Sequence, residues 1–169
     1  FMMQSNPGLA SLIDRTIGTD WQVDFDQIKQ LEEYAMDSAF LDELMAVKRE
    51  NKLRLAAYIK EKMEIEVDPD SVFDVQVKRL HEYKRQLLNV LKIMSLYTEI
   101  MDNPNSDIPP QTFIFGCKAA PGYVMAKKLI KLIWFLAEEL DRNPLTRDRL
   151  KIVFMEEYNV SVAEVLIPS

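Results

Sequence analysis

The sequence predicts an open α/β fold: a Rossmann-like, partial parallel sheet of about three strands with helices on both faces, preceded by a helical segment. Three observations carry that reading. Short apolar stretches at Phe73–Val77, Thr112–Cys117 and Leu150–Phe154 have the length and residue types of strands. Between them lie two long stretches of helical spacing, Tyr83–Met101 and the run that ends at Leu140. Connections of that length are crossovers, which makes the strands parallel and the units right-handed. Helical spacing also fills the chain before the first strand. The division expected is therefore a helical leader over 1–67 and a βαβαβα segment over 68–169. Three parallel strands leave edges that a neighbour should cover.

The elements follow in chain order. Asn6-Pro7-Gly8-Leu9 opens a helix, because Asn is a good N-cap and Pro suits the first helical position. Leu9, Leu12, Ile13 and Ile17 make its apolar face, and Gly18 closes it. A short helix through Trp21–Tyr34 starts at Asp24 or Asp26, with Ile28, Leu31 and Tyr34 inward. A long amphipathic helix runs from about Ser38 to Met63, and Phe40, Leu44, Val47, Asn51, Leu55 and Ile59 lie near one stripe. Asp68-Pro69-Asp70-Ser71 turns the chain into the first strand. The Tyr83–Met101 helix is apolar nearly all round, so it should be covered on more than one side. Pro109-Pro110 bars helix before the second strand, and a last helix covers Ser161–Ile167.

Composition limits the function classes. The 169 residues are 48% hydrophobic and 28% charged, as in a globular chain with a real core. A net charge of −6 argues against general nucleic-acid binding, so any anion site must be a local basic patch on an acidic surface. The single cysteine, Cys117, forms no internal disulfide and fits a reducing, cytoplasmic setting. No signal-peptide pattern is read ahead of the first helix, and no membrane partner is expected. The apolar Leu129–Leu140 run is interrupted by Lys131 and reads as a core helix. No metal site is expected, because Asp68 and Asp70 lack the spacing and the mid-loop Gly of a calcium loop. Gly116 and Gly122 fit neither nucleotide-loop pattern.

The chemistry concentrates in Phe73–Gln86, Phe-Asp-Val-Gln-Val-Lys-Arg-Leu-His-Glu-Tyr-Lys-Arg-Gln. Phe73, Val75 and Val77 alternate with Asp74, Gln76 and Lys78 as in a half-buried strand. Lys78, Arg79, His81, Lys84 and Arg85 then crowd the strand's carboxyl end and the first turn of the next helix. In open α/β folds ligands sit at that edge, and a helix N-terminus adds free N–H groups and a favourable dipole for an anion. The local reading is a phosphate-handling strand-to-helix turn; the bland alternative is a solvated cluster of charges.

This stretch, with the Leu-Leu-Asn that follows it, resembles the α-glucan phosphorylases (glycogen, starch and maltodextrin phosphorylase) almost residue for residue. Asn6-Pro7-Gly8-Leu9, Lys118-Ala119-Ala120-Pro121-Gly122-Tyr123 and Tyr158-Asn159-Val160-Ser161-Val162-Ala163-Glu164 resemble the same family. Cys117 departs from it, since a Gly is usual there. The resemblance implies a piece of the C-terminal catalytic domain of an enzyme that cleaves an α-1,4-glucan end with inorganic phosphate, giving glucose 1-phosphate. The implied cofactor is pyridoxal phosphate, whose own phosphate serves as proton donor and acceptor. By motif position, Arg79 and Lys84 hold the substrate phosphate and Lys78 the cofactor phosphate. Tyr83 touches a glucosyl hydroxyl, Asn6 the hexose primary hydroxyl, and Tyr158 lies against the pyridoxal ring. Tyr123 inherits an inhibitor-binding aromatic site, and His81 orients the turn.

The same resemblance implies a homodimeric parent with an N-terminal domain and a remainder of the C-terminal domain as partners. The family's Gly-Thr-Gly-Asn-Met-Lys motif, which carries the Schiff-base Lys, is expected beyond Ser169. The 169 residues alone are therefore expected neither to hold the cofactor covalently nor to catalyse phosphorolysis. Two other classes stay open on the residues alone. One is a stand-alone anion-binding or regulatory module; the other is a nucleophilic enzyme using Cys117 and His81, with no third group to support it.

Overall fold

The computed structural model describes residues 1–169, which divide into two compact units, Phe1–Glu64 with Val160–Ser169 and Ile65–Asn159.

In the first unit, α1 (Met2–Ser5) leads into α2 (Pro7–Ile17). The Asn6 side chain caps α2 by accepting from Leu9 N at 3.2 Å, and Gly18 ends it at φ 82°, a conformation only glycine adopts without strain. Trp21 packs on Ala10 and Ile13, and its Nε1 donates to Asp14 Oδ1 at 2.8 Å. The helix expected through Trp21–Tyr34 is instead two 3₁₀ segments, Asp20–Gln22 and Phe25–Tyr34, the second capped by Asp24. No residue of Phe25–Tyr34 is fully buried, so packing does not enforce the wider α winding there.

Helix α3 (Ser38–Met63) starts at Asp37, which accepts from Ala39 N and Phe40 N at 2.9 and 3.1 Å. Asn51, Leu55 and Ile59, four residues apart, are its buried stripe. Helix α6 (Val160–Leu166) belongs to this unit. Val162 and Leu166 of α6 are buried, and polar contacts add to them: Arg54 Nη2 donates to Glu164 O at 3.3 Å, Gln4 Nε2 to Glu164 Oε1 at 3.2 Å, and Lys48 Nζ to Pro168 O at 3.2 Å.

In the second unit, β1 (Val72–Gln76), α4 (Gln86–Asp102), β2 (Gln111–Phe115), α5 (Val124–Arg142) and β3 (Leu150–Phe154) build a three-stranded parallel sheet of order β1-β2-β3. The register aligns Val72, Gln111 and Leu150 at one edge and Gln76, Phe115 and Phe154 at the other. Val90, Ile93 and Ile100 of α4 and Ala126, Ile133 and Leu140 of α5 enclose a core with Phe113, Phe115, Leu150 and Ile152. Tyr97 Oη donates to Glu139 Oε1 at 3.2 Å, joining the two helices on this face. Ile114, Val153 and Met155, which alternate with those core residues, are buried as well. Arg149, just before β3, closes the loop after α4 by donating to the carbonyls of Pro104, Ser106 and Ile108.

Two details differ from the sequence pattern. Val75 is exposed, because β1 is an edge strand whose polar side, Asp74 and Gln76, faces α4; Val72, the first residue of the strand, is exposed as well. Lys92 Nζ pairs with Asp74 Oδ2 at 2.7 Å, and Asn89 Nδ2 donates to Gln76 Oε1 at 3.2 Å. Helix α4 is buried on one side only; Leu87, Leu88, Leu91 and Met94 face outward. No helix is long and apolar enough to cross a membrane.

Candidate functional site

Because all three strands run the same way, their carboxyl ends share one edge, and the loops that follow β1, β2 and β3 meet there. The meeting point is tight. A Cβ at Gly116 would lie 2.8 Å from Val77 Cγ1 and 3.3 Å from Tyr158 Cβ, so only glycine fits between the exits of β1 and β3. The sequence therefore brings Lys78, which follows Val77, and Tyr158 to the same end of the sheet.

The basic turn is built by three kinds of constraint. Leu80 is buried, and its N–H donates to Lys118 O at 2.9 Å, which pins the turn to the loop after β2. Glu82–Lys84 forms one 3₁₀ turn, and Arg85 adopts φ 61°, ψ 29°, a left-handed conformation that breaks the helical phase. Helix α4 therefore starts at Gln86 and not at Tyr83 as the periodicity suggested. Neither α4 nor α5 has a side-chain cap, whereas α2 and α3 are capped by Asn6 and Asp37. Two helix N-termini with unclaimed N–H groups thus open on this edge, the arrangement that suits an anion.

Lys84 is half-buried, and Lys78, Arg79 and Arg85 are exposed. None of the four forms an ion pair. Lys84 Nζ lies 5.5 Å from the centre of the Tyr83 ring. Tyr83 itself is exposed, and its ring stands 4.4 Å from that of His81. The His81 ring also lies 5.3 Å from that of Tyr123, so the imidazole is close to two phenols. Tyr123 Oη donates to Glu82 Oε2 at 2.7 Å and accepts from Glu82 N at 3.3 Å. That bond to the carboxylate holds the phenol's pKa above its ordinary value. An apolar cavity of about 260 Å³ opens beside this cluster, lined by Leu80, His81, Leu87, Met125, Leu129 and Leu132 among others.

Asn6 lies in the first unit, buried, with its Oδ1 accepting both from Leu9 N and from Asn51 Nδ2, the latter at 2.9 Å. Cys117 is buried, and its Sγ–H points to Gln76 O at 3.8 Å. Burial pushes its thiol pKa up, the opposite of what an activated nucleophile needs. No cluster of metal-ligating side chains is present.

For two residues here the sequence shows the position but not the partner. Asn51 interrupts an apolar i, i+4 stripe, a visible signal of a buried polar partner. Gln86 opens the apolar helix α4 and is 1% exposed; its Nε2 reaches the carbonyls of Lys78 and Arg79, at 3.5 and 3.3 Å.

A parallel sheet with a cation-rich turn and two uncapped helix starts at its carboxyl edge places the chain in the class of open α/β proteins. Within that class the match to the family described as carbohydrate phosphorylase runs over residues 1–169, and the chain belongs to that family. It is 46% identical over 169 residues to the muscle form of glycogen phosphorylase from Oryctolagus cuniculus, and 48% identical to the glycogen phosphorylase of Synechocystis sp.. The muscle form from Mus musculus is 47% identical over the same span. In each comparison all of this chain aligns, and it spans 20% of the relative's length.

Proposed function

We propose that these residues form the phosphate-binding part of an α-1,4-glucan phosphorylase, a glycosyltransferase that releases glucose 1-phosphate from a glucan end. The observation that carries the reading is the set of cations without ion pairs, Lys78, Arg79, Lys84 and Arg85, at the carboxyl edge of a parallel sheet. In an acidic chain, cations left without carboxylate partners are available to an anion. Membership of the carbohydrate phosphorylase family supplies the anion: inorganic phosphate as co-substrate.

Roles follow from motif position. Arg79 offers a planar fork and Lys84 a point charge to the substrate phosphate. Tyr83, exposed beside them, meets a glucosyl hydroxyl. Asn6 uses its Oδ1 on Leu9 and Asn51, which leaves its amide N–H₂ for the hexose primary hydroxyl. Tyr123, beside His81 and the apolar cavity, forms an aromatic inhibitor site.

Pyridoxal phosphate is the implied cofactor, and the residues fit it in kind. Lys78, without an ion pair, would hold its phosphate, and the Tyr158 ring, against Gly116, would pack on its pyridine face. When bound, the group supplies a second phosphate that gives and takes a proton. Two phosphates held close together repel, so the site needs several cations, and the turn provides them. The free, buried Cys117 accords with a cytoplasmic enzyme.

The test is a titration of inorganic phosphate against the 169-residue chain and its Arg79→Ala, Lys84→Ala double variant. The variant should bind at least about tenfold more weakly, the loss of two charge-assisted contacts. Equal affinity would overturn the assignment.

A further inference from the structure

We propose that Gln86 is a positioning residue for the basic turn: its side-chain amide holds the carbonyls of Lys78 and Arg79 inward and so directs those two cations outward. The inference rests on the phosphate-binding reading above.

Gln86 is the first residue of α4 and is 1% exposed. Its Nε2 donates to Arg79 O at 3.3 Å and to Lys78 O at 3.5 Å. Its Oε1 is the one buried side-chain polar atom with no hydrogen-bond partner. An orphaned acceptor in an apolar setting is destabilising, and a hydrophobe of the same shape would remove that cost. The gain must therefore lie on the donor side. Past the end of β1 the chain leaves the ladder, and its carbonyls need partners from elsewhere. One amide reaches two successive carbonyls, which fixes two peptide planes and with them the Cα–Cβ directions of residues 78 and 79.

The other end of the turn makes a useful contrast. Gln76 Nε2 donates to Lys84 O at 3.2 Å, but Gln76 is half-buried and its own Oε1 is satisfied by Asn89. That clamp costs nothing in unmet polarity. The Gln86 clamp does, and an unsatisfied group tolerated next to a functional turn is a sign of pre-organisation.

The experiment compares wild type, Gln86→Leu and Arg79→Ala in the 169-residue chain, with inorganic phosphate as the probe and thermal unfolding as the control. In Gln86→Leu, phosphate affinity should fall about tenfold in the folded fraction, whereas the unfolding midpoint reports two opposed changes, the carbonyls that lose their donor and the unmet acceptor that is removed. A purely structural glutamine would leave affinity unchanged in the folded fraction. If Gln86→Leu binds phosphate like wild type while Arg79→Ala does not, the positioning role is wrong and the phosphate site stands. If neither variant loses affinity, the phosphate reading itself fails. Should Gln86→Leu not fold, the wild-type chain answers alone. The Gln86 side-chain amide protons should exchange with water far more slowly than those of solvent-facing Gln4, and equal rates would overturn the proposal.

Discussion

Asn51 Nδ2 donates to Asn6 Oδ1 at 2.9 Å, so a buried amide in the middle of α3 completes the cap at the start of α2. Both side chains are under 10% exposed. Asn51→Ala should lower the stability of the chain by about 1–3 kcal/mol, the cost of a buried hydrogen bond lost on one side. Asn6→Ala loses the cap as well as the pair, and should cost more. Urea unfolding of both single variants and the double gives the coupling, which should be at least about 0.5 kcal/mol for groups in contact. Additive losses would mean the contact contributes nothing.

The Tyr123–Glu82 bond makes a prediction in pH. The phenol's folded pKa is raised by its bond to the Glu82 carboxylate, above the ordinary tyrosine value of about 10. A raised value means the neutral, donating form is the favoured one. The stabilisation is thus complete below the ordinary value and is lost as pH rises through the higher folded value. Phenolate absorbance, taken as the difference between wild type and Tyr123→Phe, should show Tyr123 titrating later than a free tyrosine. Glu82→Gln should bring that titration back toward the ordinary range. An unmoved titration in Glu82→Gln would show that the carboxylate is not the cause.

Gly116 gives a steric test. A Cβ there would sit 2.8 Å from Val77 Cγ1, so Gly116→Ala should destabilise the chain by about 1–3 kcal/mol through overpacking. Val77→Ala in the same chain makes room, and the double variant should recover part of the loss. Equal losses in the single and double variants would place the strain elsewhere.

How far the sequence discloses the fold can be judged from particular residues. The caps at Asn6, Asp24 and Asp37 and the stop at Gly18 are local chemistry, and each sits where its residue type implies. The three strands are short, apolar and well separated by helical runs, so their existence is plain and only their ends move. What the pattern hides is three-dimensional. The alternation Phe73, Val75, Val77 suggests a buried apolar side, yet Val75 is exposed because β1 borders the sheet and turns Asp74 and Gln76 to α4. The helical phase seems to run from Tyr83, because apolar spacing carries no trace of the left-handed Arg85.

The candidate site divides in the same way. Lys78, Arg79 and Lys84 announce themselves by charge in an acidic chain. Gln86 does not, because its importance depends on which carbonyls come within reach of its amide, and that is set by folding and not by spacing. Asn51 lay between: its place in an apolar stripe was visible, but its partner Asn6 is 45 residues away.

Arg149 stands more than forty residues from Pro104, yet its guanidinium gathers the carbonyls of Pro104, Ser106 and Ile108. The shape of that loop is therefore stored outside the loop. Any insertion, deletion or graft between Asn103 and Pro110 changes the lock while leaving the key in place, and a change at Arg149 does the reverse. The two belong to a single unit of inheritance, and a designer who transplants one without the other should expect the loop to lose its shape.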